Sequence, residues 1–199
     1  MDFKHNARIF AADAREIGYL DRVVVDPATQ ELTHLVVRQG LWLGELKLVP
    51  ISVVDQALDD QITLRPEAGD ARALPPFEQE REVRVDGVPL TGLAPQLDGY
   101  GAPTVSRLIT RTELNIPEGT VAVKEGARII TADGRPGGAL ECLAIEPGTH
   151  QITHLQIIQG LLHRERRLIP SAWVVSLGEG RILLSVDQKT LTAVGPQPN

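Results

Sequence analysis

Apolar and polar residues alternate through most of this chain, and they do so twice in the same order. In 31–39 the apolar parity holds Leu35 and Val37, which match Leu155 and Ile157 in the stretch that begins at Gln151. The opposite parity is less constant, with Val36 against Gln156 and Arg38 against Ile158. A period of two with one constant side predicts a strand whose constant side faces a core. On this reading Leu35, Val37, Leu155 and Ile157 are buried, and Val36, Gln156 and Arg38 are more exposed. The preceding segment, 19–26, is β-branched and ends in the turn Asp26-Pro27-Ala28-Thr29, so 19–39 reads as a hairpin. Its counterpart, Glu146-Pro147-Gly148-Thr149, keeps the proline where a turn wants its fixed φ. Further strands are predicted at 46–50, 51–55 and 61–65, with Pro50 and Pro170 marking a strand end or a sheet edge.

Offsetting the sequence against itself by 120 aligns 1–76 with 121–196 without a gap, and about 25 of those pairs are identical. A repeat this long is a duplicated domain, not a solenoid. The expected fold is all-β, two small barrels in tandem at 1–76 and 121–196, because short strands with turns every few residues and no long helix suit a closed sheet. Gly18 and Gly138 match, which predicts a backbone position with positive φ or close approach. Units this small bury little apolar surface alone, so an intramolecular pseudo-twofold pairing of the barrels is expected, with a homo-oligomer as an open alternative.

The succession of Gly18, an apolar strand, an Asp-Pro turn, Thr33-His34-Leu35-Val36-Val37, a glycine turn and Val49-Pro50 resembles the PRC-barrel family. That family includes the cytoplasmic domain of the photosynthetic reaction centre H subunit and the C-terminal domain of the bacterial ribosome maturation factor. The exit Ala73-Leu74-Pro75-Pro76-Phe77 is similar to the short closing segment of stand-alone members. The resemblance covers both copies and implies the barrel fold, and its motifs, turn glycines and core apolar residues, carry no chemistry.

Residues 77–120 have no counterpart in the repeat, are rich in Pro and Gly, and read as a linker or ordered arm. Within it 80–85 alternates weakly, and 104–114 fits a strand or a short helix.

Composition narrows the function. A net charge of −6 argues against general nucleic-acid binding. One cysteine excludes an internal disulfide framework, and no stretch is apolar enough to be a signal peptide or a membrane span, so a cytoplasmic protein is expected.

Candidate chemistry is thin. Thr33-His34 recurs as Thr153-His154, but on a strand His150 and His154 lie roughly 13 Å apart, too far for one ion. A hydrogen-bonded structural histidine is the better account. Cys142 has no base beside it in the pattern, and Glu45 and Glu165 suit ion pairs. No catalytic, metal or cofactor residue is therefore assigned, and no enzyme activity is expected. The sharpest divergence between copies lies at 163–167, where His163, Arg164, Arg166 and Arg167 make a basic turn, the expected contact with an unidentified protein partner. A sensor holding a small ligand or ion between the barrels, and an RNA-processing assistant, are the alternatives.

Overall fold

The computed structural model describes all residues except 1, 41–43, 59, 67–72, 90–103, 161–164 and 196–199. The first half forms β1 (Asp2–Lys4), β2 (Arg8–Phe10), β3 (Glu16–Asp26), β4 (Glu31–Arg38), β5 (Leu46–Pro50), β6 (Val54–Leu58) and β7 (Gln61–Leu64). Next come β8 (Glu78–Pro89) and β9 (Thr104–Leu114). The second half runs β10 (Val121–Val123), β11 (Arg128–Ile130), β12 (Pro136–Ile145), β13 (Ile152–Gln159), β14 (Glu165–Pro170), β15 (Val174–Leu177), β16 (Arg181–Leu184) and a single helix, α1 (Gln188–Ala193). The protein is predominantly β, as its alternation predicts. Two compact units result, Met1–Phe77 with Ile116–Asn199, and Glu78–Asn115.

The larger unit holds two seven-stranded sheets, ordered β5-β4-β3-β2-β7-β6 and β14-β13-β12-β11-β16-β15. The two orders are the same at an offset of 120 residues. Each sheet takes its seventh strand from the other half of the chain. β1 pairs with β12, Phe3 opposite Leu143, and β10 pairs with β3, Val123 opposite Val23. These pairings are reciprocal, since position 3 plus 120 is 123 and 23 plus 120 is 143. A second reciprocal contact brackets the bridge Glu31 to Gln151: the Leu32 N–H donates to the His150 carbonyl and the Ile152 N–H to the Gln30 carbonyl, both at 2.9 Å. One continuous core follows, in which Ile9, Leu35, Val37, Ile62, Ile129, Leu155, Ile157 and Ile182 are all buried.

Two expectations about strands need correction. Residues 51–53 form a 3-10 turn, and the strand begins only at Val54. Pro50 and Pro170, each just ahead of that turn, lack the N–H that would extend the ladder. The expected closure of each sheet is likewise not seen among the described residues. The chain passes from β5 to β6, and from β14 to β15, through these turns, and no ladder joins the two end strands.

Gly18 and Gly138 are required by close approach. A Cβ would meet the Arg38 carbonyl oxygen at 2.2 Å in the first sheet and that of Ile158 at 2.3 Å in the second, where Gly138 also has φ +118°. Any side chain there would push the neighbouring strand away.

Candidate functional site

The segment at 163–167 is not an exposed basic turn as a whole. His163 and Arg164 lie outside the described residues, whereas Arg166 and Arg167 belong to β14 and point to opposite faces, as neighbours in a strand must. Arg167 is 6% exposed. Its guanidinium donates to the Glu165 carboxylate at 2.6 Å, to the Thr192 carbonyl at 2.9 Å and to the Val194 carbonyl. The last two are carbonyls at the end of α1, which a helix leaves unsatisfied and which attract a cation. Arg167 is thus a buried cap, which corrects its reading as a contact residue. Lys47, the matching residue of the first half, forms the same pair with Glu45 at 2.8 Å.

Arg166 lies on the outer face, held by Glu141 at 2.9–3.0 Å. Gln156 donates to the same carboxylate at 2.9 Å, and the Cys142 thiol to Gln156 Oε1 at 3.3 Å. The Glu141 charge is thereby shared between a guanidinium and an amide. Cys142 is buried in this network, a setting unlike the exposed, electropositive one that activates a thiol.

In the recurrent Thr-His pair the threonines bond the neighbouring backbone, whereas His34 Nδ1 is buried without a hydrogen-bond partner among the described residues, so the expected hydrogen-bonded histidine is not found there. Thr33 donates to the Val24 carbonyl and Thr153 to the Ala144 carbonyl, both at 3.1 Å, where β3 and β12 carry a register shift. His34 is half-buried, and desolvation lowers its pKa, so it is neutral near pH 7. His150 occupies a turn with φ 57°, just ahead of β13.

The exchanged strands border a small, partly open cavity of about 20 Å³, lined by Phe3, Leu20, Val23, Val123, Leu140 and Leu143 with His5, Arg22, Glu125, Glu141 and Cys142. That is room for about one water. Nearby, Asp21 is buried, which pushes its carboxyl up, but Arg22 at 2.8 Å and Lys124 at 3.4 Å outweigh this and hold it below its usual value. Lys124 comes from the second half, so this ion pair joins the two. Among the described residues no three His, Cys, Asp or Glu side chains converge as a metal site would require, and no helix is long and apolar enough to cross a membrane.

The stretch predicted as linker or arm contains a two-stranded antiparallel sheet, β8 with β9. The helix alternative for 104–114 is excluded. Opposed residues share a face, so Glu78/Leu114, Glu80/Thr112, Glu82/Thr110 and Arg84/Leu108 line one side. Gln79/Glu113, Arg81/Arg111 and Val83/Ile109 line the other, where Arg81 and Glu113 approach at 3.5 Å. Leu108, Ile109 and Leu114 are 60%, 42% and 41% exposed, three of the five large exposed hydrophobics among the described residues. Period-two alternation is weak here because apolar and charged residues occur on both faces of the hairpin.

Compared with protein-family models and with the curated proteins, the chain matches none.

Proposed function

We propose that the chain is a non-enzymatic protein-interaction module of the PRC-barrel type, with two barrel-like domains at 1–76 and 121–196 and an arm, 77–120, that docks the partner. The observation that carries this reading is the hairpin. Two strands alone are marginally stable in water, and a third strand or a covering surface stabilises them. Leu108, Ile109 and Leu114 supply apolar area for such a cover, and among the described residues β8 and β9 pair only with each other, which suits an added strand. Glu78, Glu80 and Glu82 on one face select a partner with basic residues there, so binding weakens as salt rises. The barrel reading is supported by the register shifts in β3 and β12, which bend a strand and curl its sheet. The non-enzymatic reading is supported by the internal partners that Cys142, Glu45, Glu141 and Glu165 already have.

The test is partner capture from the native host with the triple variant Leu108→Ser, Ile109→Ser, Leu114→Ser. Capture is expected to fall at least about tenfold, as exposed apolar anchors dominate such contacts. The melting temperature of the compact unit is expected to stay nearly unchanged. Undiminished capture removes the arm from the interaction.

A further inference from the structure

The two halves also differ in charge where β11 and β16 of the second sheet run side by side. In the first half Arg8 is neutralised: Glu16 binds it at 2.5 and 3.0 Å, and Asp60 adds further negative charge nearby. Its parallel neighbour in the ladder is Gln61, which is uncharged. In the second half the matching residues are Arg128, Pro136, Gly180 and Arg181. The neutralising carboxylate has become a proline, the second acid a glycine, and the glutamine an arginine. Three replacements all shift this patch in the cationic direction.

Arg128 and Arg181 stand opposite each other in the parallel ladder of β11 and β16. Side chains in that register leave the sheet on the same face, with strands about 4.8 Å apart. Both arginines are exposed, and neither has an ion-pair partner among the described residues. Glu179, the acid nearest in sequence, turns instead to Arg22 at 3.2 Å. Two unpaired like charges side by side repel each other, so an anion that bridges them is favoured by both. They border an open cleft of about 440 Å³, completed by Ser176, Gly178, Glu179, Gly180 and Leu183, with the Glu179 carboxylate held by Arg22. Ser176 is opposite Leu183 in the ladder, which sets a hydroxyl donor beside an apolar floor.

We propose that this cleft binds a small phosphate monoester. Arg128 and Arg181 grip the dianionic head as paired charge-assisted donors, Ser176 adds a neutral donor, and the organic group lies on Leu183. Phosphate suits the site better than a carboxylate because its extra charge and third oxygen match two guanidinium groups and a hydroxyl. This binding is independent of the hairpin arm.

The test is a titration of the full chain with inorganic phosphate and with phenyl phosphate at fixed ionic strength, followed by amide resonances. Saturable shifts are expected at Arg128, Ser176 and 178–181, with none at the matching Arg8, Gln56 and Gln61. Phenyl phosphate should bind more tightly than inorganic phosphate. Arg181→Gln installs the residue the first half already carries and should weaken binding about tenfold, the effect of losing one charged hydrogen-bonding partner. Pro136→Glu, which restores a partner for Arg128, should weaken it as well. Shifts that fail to saturate, equal shifts around Arg8, or full affinity in Arg181→Gln overturn the site. Equal or weaker binding of phenyl phosphate overturns the monoester assignment.

Discussion

The outer faces of the two sheets were built on the same strand register and finished differently. In the first sheet Val24, Val36 and Leu48 pack with Phe77 and Ala122 into a second apolar cluster, with Leu46 and Ile116 against it. In the second sheet Ala144, Gln156 and Leu168 take the matching positions, and Gln156 joins the polar network of Glu141 and Arg166. The cover makes the difference. Phe77, completely buried, is fastened where its N–H donates to the Leu46 carbonyl at 2.7 Å, beside the bond from the Leu48 N–H to the Pro75 carbonyl at 2.8 Å. A sheet face becomes core only when some other part of the chain is laid across it. The register does not decide this.

The largest expected effect is removal of that cover. Phe77→Ala should cost about 3–5 kcal/mol in urea unfolding, the range for deleting a buried aromatic ring. A loss below about 1 kcal/mol would mean that the first sheet tolerates a partly exposed outer face as the second does, and the contrast would collapse.

Exchanging the two residues that differ sharpens the comparison. Val36→Gln should destabilise by about 2–3 kcal/mol, because the amide enters an apolar cluster without a partner. Gln156→Val should change stability by less than about 1 kcal/mol, since its amide is half-exposed and Arg166 still neutralises Glu141. Thermal or urea melts of the two single variants read this directly; equal losses would deny that the faces differ.

The smallest effect concerns the strand that carries Arg166 and Arg167. Arg167→Ser should lower stability by about 1–2 kcal/mol, because it strips the last carbonyls of α1 of their donor. Arg166→Ser, on the outer face, should cost less than about 1 kcal/mol. Should both substitutions be silent in unfolding, the capping role of Arg167 fails.

How much was legible follows from where the information lies. Leu35, Val37, Leu155 and Ile157 were identified as core from alternation and from the matching of copies, and all four are fully buried. Val36 was expected to be exposed and is fully buried as well. Gln156 and Arg38 are half-exposed, as expected. The error at Val36 has one cause. Alternation reports which residues share a side, and comparison of copies reports which side tolerates change. Neither reveals that Phe77 and Ile116, distant in sequence, fold over one copy alone. Arg167 was misplaced for the same reason, since the carbonyls it caps belong to α1, 25 residues on.

Local pattern carried the repeat, the central strands, the turn at 26–29, the glycines at 18 and 138, and the inward side of each central strand. All of these follow from interactions within a few residues or from a period of two. Long-range packing set the rest: β1 and β10 cross to the opposite sheets, one outer face is covered by Phe77, and Arg167 lies inside while Arg128 and Arg181 have no ion-pair partner among the described residues. Those outcomes depend on which distant backbone edge or side chain arrives, and that choice is made by the burial of the whole core, which no local pattern records.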